Sequence, residues 1–140
     1  MKNKFLTMLT LSPLMLSGCV ASKYNALILV TTQHTSTASI SFEVFEGQYV
    51  FKLKRTEAGE GTIKFDASLK EGHCEVLYKA SMMNDYATMF EIDGGETKSA
   101  YTGYLEKGYK VTIIVKSEGK ASGGSFAFDS NYDLGDIVGR

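Results

Sequence analysis

The chain has 140 residues, enough for one domain that buries roughly two-thirds of its unfolded surface, so no second domain is expected. Its formal net charge is −1, and acidic and basic residues are interspersed rather than gathered on one face. Nucleic acid is therefore excluded as an expected partner, because such binding needs a basic surface.

The N-terminus has the features of an export signal. Lys2 and Lys4 precede an apolar run from Phe5 to Leu16, which is shorter than the ~20 residues of a membrane-spanning helix. The run ends in LSGC at residues 16–19, which resembles the lipobox of bacterial lipoproteins. This resemblance implies cleavage between Gly18 and Cys19 and attachment of a diacylglycerol to the Cys19 thiol. An ordinary cleaved secretory signal and a core helix ending in Gly-Cys are the alternatives.

The lipobox resemblance also implies a location and a set of domain boundaries. Two acyl chains hold a protein stably at a bilayer, so the mature chain is expected at the extracytoplasmic face of a bacterial cell membrane. The predicted organisation is a signal peptide at 1–18, a lipidated Cys19 with a short tether at 19–25, a domain at 26–129 and a C-terminal tail at 130–140. Because so short a tether keeps the domain near the bilayer, a protein partner close to the membrane is favoured.

After the signal, apolar and polar residues alternate repeatedly with the period of a half-buried strand. Glu46-Gly47 predicts a hairpin turn between two such runs, and Asp93-Gly94-Gly95 predicts another turn. The predicted strands are 26–30, 39–44, 49–54, 62–69, 74–79, 88–92, 99–102, 110–116 and 125–129. LKEG at 69–72 and LEKG at 105–108 both precede a strand, either as a weak internal repeat or as two good turns.

Short strands separated by Gly-bearing turns predict an all-β fold, an antiparallel β-sandwich of about eight to nine strands. The segment YLEKGYKVTIIVKSEGKASGGSFAF at 104–128 combines a turn, an alternating strand, a Gly/Ser loop and a Phe-x-Phe strand. It resembles the C-terminal half of bacterial jelly-roll accessory domains, such as the pre-peptidase C-terminal kind. That resemblance implies a jelly-roll-like topology and assigns no residue a role.

The sequence contains no catalytic or metal-binding motif, so no enzyme activity, cofactor or metal is predicted. The two histidines are His34, in a polar stretch, and His73. His73 adjoins Cys74, but neighbours on a strand point to opposite faces and cannot form a nucleophile–base pair unless a bulge rotates one of them. With Cys19 acylated, Cys74 has no disulfide partner and is expected as a buried thiol on the inward face, with Val76 and Tyr78.

An acidic cluster, DSNYDLGD at 129–136, begins like a calcium loop. Leu134 then occupies the position of the sharp-turn glycine, and Arg140 that of the closing glutamate. The sequence leaves open whether the cluster binds calcium or is a solvated tail.

Two surfaces are candidates for binding. The loop SMMNDY at 81–86 offers Met82, Met83 and Tyr86 for contact with a protein or peptide, since methionine and tyrosine suit such contacts. Planar aromatic residues suit sugars, and the candidates are Tyr86, Tyr101, Tyr104 and Tyr132, although Trp is absent. The predicted function is a non-catalytic binding or interaction module at the cell envelope; a small cell-surface enzyme and a purely structural envelope protein are the alternatives.

Overall fold

A computed structural model describes residues 21–133, which form an all-β fold with eight antiparallel strands. The strands are β1 (Lys23–Leu27), β2 (Val30–Gln33), β3 (Thr37–Lys54), β4 (Gly61–Ser68), β5 (His73–Ala80), β6 (Ala87–Asp93), β7 (Thr97–Leu105) and β8 (Lys110–Asp133). None of the elements between residues 21 and 133 is a helix with the length and apolar character needed to cross a membrane. The predicted signal peptide, Gly18 and Cys19 lie outside the described residues.

Two long strands organise the fold. β3 and β8 pair from Thr37 opposite Asp129 to Lys54 opposite Lys110, and both strands bend together near the middle. The bend brings the two ends of β3 together, as the hydrogen bond from Lys54 N to Thr35 O at 2.8 Å shows. The folded pair therefore forms two layers of one continuous sheet.

The sequence predicted separate strands where the structure has these two continuous ones. The hairpin predicted at Glu46-Gly47 is wrong: Gly47, at φ 119°, follows a shift of register after Phe45, and β3 continues through it. The Gly/Ser loop predicted after residue 116 is wrong for the same reason, since β8 runs unbroken from 110 to 133. Glycine within a bent strand and glycine in a turn give the same sequence pattern.

The two layers share β3 and β8 between them. The first layer has the order β7, β4, residues 121–133 of β8, residues 37–45 of β3, and β2. The second layer has the order β6, β5, residues 110–117 of β8 and residues 47–54 of β3. β1 pairs with β3 at residues 44–48, beside the bend.

The core lies between the layers and is rich in phenylalanine. Phe65 of β4 stacks on Phe90 of β6 with ring centroids 4.2 Å apart, which joins the two layers directly. Phe126 contacts both Phe90 and Phe42 at 6.2 Å between centroids. Apolar side chains from alternate positions of each strand meet here, as the predicted sandwich requires, and the antiparallel all-β prediction is confirmed.

The domain extends beyond the predicted boundaries at both ends. β1 begins at Lys23 rather than Ala26, and a break at Ile28 separates it from β2. β8 continues to Asp133, so residues 130–133 belong to the domain rather than to a tail. Ser130 is fully buried, and its hydroxyl donates to Ser36 O at 3.1 Å and Lys54 O at 3.2 Å.

Candidate functional site

The outer face of the first layer carries an open groove of about 360 Å³, which we call the polar groove. Cross-strand register places Lys64 of β4 beside Asp129 of β8, and Asp129 beside Thr37 of β3. In the next row, Asp66 lies beside Ala127, and Ala127 beside Ser39. The full lining is Thr32, Thr37, Ala38, Ser39, Lys64, Asp66, Ala127, Phe128 and Asp129.

The groove forms because these strands place short or polar side chains outward while their alternate residues are buried. Ala38 and Phe128 are only 3% and 2% exposed, because their side chains face the core. Ala127, the neighbour of Phe128 on β8, faces outward and is exposed. Thr32 Oγ1 and Ser39 Oγ hydrogen-bond at 2.7 Å across the β2–β3 pair. The small side chain of Ala127 therefore forms the bottom of the groove, and the hydroxyl groups of Thr32 and Ser39 lie at its edge.

Charged groups lie along the β4 side of the groove. Ser99 donates to the Asp66 carboxylate, and Lys64 Nζ lies 3.5 Å from Asp66 Oδ2. The hydrogen bond from Ser99, followed by the ammonium of Lys64, holds the pKa of the Asp66 carboxyl below its usual value. Asp66 is thus an anionic hydrogen-bond acceptor at neutral pH.

Two tyrosines lie next to the groove. The rings of Tyr101 and Tyr132 are 6.0 Å apart between centroids and tilted by 34°. Lys64 Nζ lies 5.8 Å from the centroid of the Tyr132 ring, within the range of a cation–π contact. Tyr101 is 49% exposed, so an apolar ring face adjoins the polar lining.

The other two tyrosines considered for sugar binding lie apart from the Tyr101–Tyr132 pair. The Tyr104 hydroxyl donates to Glu106 Oε2 at 2.8 Å, and this hydrogen bond raises the pKa of Tyr104 to about 12. Tyr86 is half-buried and hydrogen-bonds to Thr112, and burial raises the pKa of its phenol.

The three candidate residues of the 81–86 loop, which was predicted as an interaction loop, differ in their exposure to solvent. Met82 is 62% exposed, whereas Met83 packs against the core and its Sδ accepts a hydrogen bond from Ala80 N at 3.2 Å. With Tyr86 half-buried, only Met82 presents a large exposed apolar surface.

His73 and Cys74 point to opposite faces of β5, as predicted. His73 is exposed: its Nδ1 lies 2.6 Å from Asp93 Oδ1 and its Nε2 lies 3.1 Å from Glu91 Oε1. The hydrogen bond to Asp93, reinforced by the charges of Asp93 and Glu91, raises the pKa of His73. Because both ring nitrogens are hydrogen-bonded to carboxylates, the ring is held as a cross-link between β5 and β6.

The thiol of Cys74 is fully buried beside Val76, which confirms the prediction of an inward-facing cysteine. Burial raises the pKa of Cys74 to about 11, so the reactive thiolate form is suppressed.

Only the first part of the acidic cluster, residues 129–133, lies within the described chain. Asp129 Oδ1 accepts a hydrogen bond from Asn131 N at 2.8 Å, and Asn131 Oδ1 accepts from Thr56 N at 2.9 Å. These oxygens therefore bind the chain to itself at the end of β8. The rest of the cluster, beyond Asp133, lies outside the described residues.

Arg55 is a structural residue that sequence reasoning missed. It is fully buried, and its guanidinium donates to four main-chain carbonyls. The acceptors are Ala58 O at 3.3 Å, Gly59 O at 3.2 Å, Ser130 O at 3.4 Å and Tyr132 O at 3.3 Å. Because Arg55 fixes the carbonyl of Tyr132, it positions a tyrosine that lies next to the polar groove.

A comparison with protein-family models gave no match, and neither did a comparison with the curated proteins. Among solved structures, a mutant family 29 carbohydrate-binding module in complex with mannohexaose is similar over 86% of this chain and 100% of its own, at 16% identity and a TM-score of 0.41. TmCBM61 in complex with β-1,4-galactotriose is similar over 79% of this chain and 85% of its own, at 17% identity and a TM-score of 0.40.

The N-terminal cellulose-binding domain of a Cellulomonas fimi β-1,4-glucanase is similar over 80% of this chain and 86% of its own, at 10% identity and a TM-score of 0.40. At this level of similarity the names describe those proteins and assign no ligand to this chain.

Proposed function

We propose that this protein is a non-catalytic binding module of the bacterial cell envelope, that a lipid on Cys19 attaches it to the membrane, and that it binds carbohydrate in the polar groove. The observation that carries the ligand class is the junction of the polar groove with the Tyr101–Tyr132 pair. A sugar chain has both hydroxyl groups and apolar C–H faces, and this surface offers partners for both.

The hydrogen-bonding groups of the groove match those of a sugar. Hydroxyls donate and accept, so the Thr37 and Ser39 hydroxyls can pair with sugar hydroxyls in either sense. Asp66 and Asp129 accept from sugar hydroxyls, and Lys64 donates to ring or hydroxyl oxygens. A few such fixed polar groups around an apolar contact are typical of small-molecule sites.

The groups with the greatest capacity for catalysis lie elsewhere. The Cys74 thiol faces the core, and both nitrogens of His73 are engaged by carboxylates on the second layer. Within the groove, Asp66 is already ionised and hydrogen-bonded to Ser99. This arrangement supports binding rather than turnover.

The membrane attachment rests on the LSGC motif and on the position of the domain relative to it. β1 begins at Lys23, and Ala21 O accepts a hydrogen bond from Gln48 Nε2 at 2.9 Å. The domain therefore begins two residues after Cys19, which supports the proposal of a binding surface close to the bilayer.

Met82 favours a second candidate function, contact with a membrane-proximal protein. Its side chain is 62% exposed at the tip of the 81–86 loop, where a soft apolar side chain suits a protein surface. Copurification of the full chain with an envelope protein, lost in Met82→Asp, would favour this function over carbohydrate binding.

The test of carbohydrate binding uses the full chain, purified in detergent from bacterial membranes and screened against a panel of neutral and acidic oligosaccharides. We expect at least one to bind, and Tyr132→Ala and Asp66→Ala each to weaken it at least about tenfold, which corresponds to 1.4 kcal/mol. Tyr104→Ala is the matched control, since Tyr104 is exposed outside the groove. Absence of binding to the whole panel, or equal losses in all three variants, would overturn the proposed site.

A further inference from the structure

Three aliphatic side chains project into solvent at the break between β1 and β2, and we call them the apolar ridge. Leu27 is 59% exposed, Ile28 68% and Val30 56%. Isolated apolar residues are common on protein surfaces, but a run of large ones at neighbouring outward positions indicates a contact surface.

The backbone at the centre of the ridge is strained. Ile28 has φ 49°, and among the described residues it is the one non-glycine residue with a positive φ. A β-branched side chain is disfavoured there, because its Cβ approaches the backbone, whereas Gly and Asn adopt this conformation readily. A strained residue that is also apolar and exposed points to a function for the exposed side chain.

The chain that precedes the ridge is fixed to the domain. Ser22 Oγ accepts a hydrogen bond from Val50 N at 2.9 Å, and Ala21 O accepts from Gln48 Nε2 at 2.9 Å. Ala21 is two residues after Cys19, and β1 then runs along β3 towards the ridge. From Ala21 to Ile28 the chain therefore follows one edge of the domain, and Cys19 precedes this edge by two residues in the sequence.

We propose that the apolar ridge inserts into the membrane interface beside the lipidated Cys19 and holds the β1–β2 edge against the bilayer. This inference rests on the lipid anchor proposed above. In the sequence Lys23 lies between Cys19 and the ridge, and its exposed ammonium is suited to pair with a lipid phosphate. A flexible lipid tether alone leaves a domain free to rotate, whereas a second apolar contact fixes its orientation.

The orientation has a consequence for ligand binding. Val30 and Thr32 lie on the same face of β2, and Thr32 lines the polar groove. The groove therefore opens next to the ridge, and a ligand bound there lies at the membrane surface.

The absence of tryptophan from this chain permits a direct test. The full chain carrying Leu27→Trp is purified from membranes and reconstituted into vesicles of phosphatidylethanolamine and phosphatidylglycerol, with fatty-acid label on Cys19 measured in the same sample. We expect blue-shifted emission that brominated acyl chains quench several-fold more than that of Met82→Trp. Met82 is the matched control, because its exposure is similar and it lies in a different loop.

A second variant separates insertion from folding. Ile28→Asn in the Leu27→Trp protein removes the central apolar side chain and relieves the backbone strain, so the fold is retained while quenching by brominated lipid falls at least twofold.

Each remaining outcome overturns the inference in a recognisable way. If Cys19 carries label but the Leu27→Trp protein is quenched no more than the Met82→Trp protein, the ridge is rejected and the anchor stands. A blue shift that depends on protein concentration, without quenching by brominated lipid, means that a second copy covers the ridge. Absence of label from Cys19 rejects the anchor and the ridge together.

Discussion

Phe65 and Phe90 stack face to face across the core, with ring centroids 4.2 Å apart and planes inclined by 13°. β4, which carries Phe65, pairs with β7 and β8, whereas β6, which carries Phe90, pairs with β5. The stack therefore connects two strands that belong to different layers.

Phe65→Ala should lower the free energy of unfolding by about 3–5 kcal/mol, because it removes a buried ring and leaves a cavity. In a double-mutant cycle with Phe90→Ala, the coupling should be about 0.5–1.5 kcal/mol beyond the loss of buried area. Urea unfolding measures both. Two independent, additive losses would mean that the rings do not pack on one another.

Arg55→Met should lower the free energy of unfolding by about 3 kcal/mol, because four main-chain carbonyls, that of Ser130 buried and the others partly buried, lose charged donors at once. Arg55→Lys should restore little, since one ammonium cannot reach all four carbonyls arranged around the edge of the guanidinium group. Lys54→Met, at the exposed neighbouring position, is the control and should change stability by less than about 0.5 kcal/mol. Equal urea midpoints for Arg55→Met and Lys54→Met would contradict the buried position of Arg55.

Much of the strand content could be predicted from alternation, because each layer has one buried and one solvated face. Both LKEG and LEKG segments are turns, with Leu69 and Leu105 buried and with positive φ at Gly72 and Gly108. The continuity of β3 and β8 could not be predicted, because glycine permits a bend and a turn equally.

The site was harder to predict than the fold. Alternation placed Lys64 and Asp66 on a polar face, but the groove depends on cross-strand register with Asp129, which topology sets. The role of Arg55 depends on the carbonyl of Ser130, 75 residues away in the sequence. In the sequence alone, a charged residue after a strand is typical of a solvated turn.

Cys74 should resist alkylation in the native protein. Burial raises the pKa of its thiol from 9.0 to about 11, which reduces the thiolate fraction near pH 8 by about 100-fold, and the closed core adds a steric barrier. Iodoacetamide labelling, located by peptide mass spectrometry, should modify residue 74 only in denaturant. Met82→Cys is the exposed control and should react within the native labelling time; comparable rates at both positions would show that β5 has a different register.

Ala127→Tyr should abolish carbohydrate binding while leaving the fold intact. Ala127 forms the floor of the polar groove and its side chain points outward, so the ring fills the groove without entering the core. Tyrosine is well tolerated on strands, and the unfolding midpoint should change little. Glu43→Tyr, on the exposed face of β3 beyond the groove, is the control, and retained binding in Ala127→Tyr would place the ligand elsewhere.

His73 should titrate above its ordinary pKa of 6.5 in the folded protein, because its hydrogen bond to Asp93 and the charge of Glu91 favour the imidazolium. A raised folded-state pKa means that the contribution of His73 to stability is fully present below pH 6.5, the unfolded value, and is lost as the pH rises through the folded value. Because His73 is half exposed, solvent screens this contribution and keeps it small.

Asp93→Asn removes the largest cause of the shift and should lower the His73 pKa, as measured by NMR of the ring protons. Glu75→Gln is the control, since Glu75 accepts a hydrogen bond from Thr88 on the same pair of strands. A His73 pKa at or below 6.5, or one that responds equally to both variants, would show that the contact with Asp93 does not persist in solution.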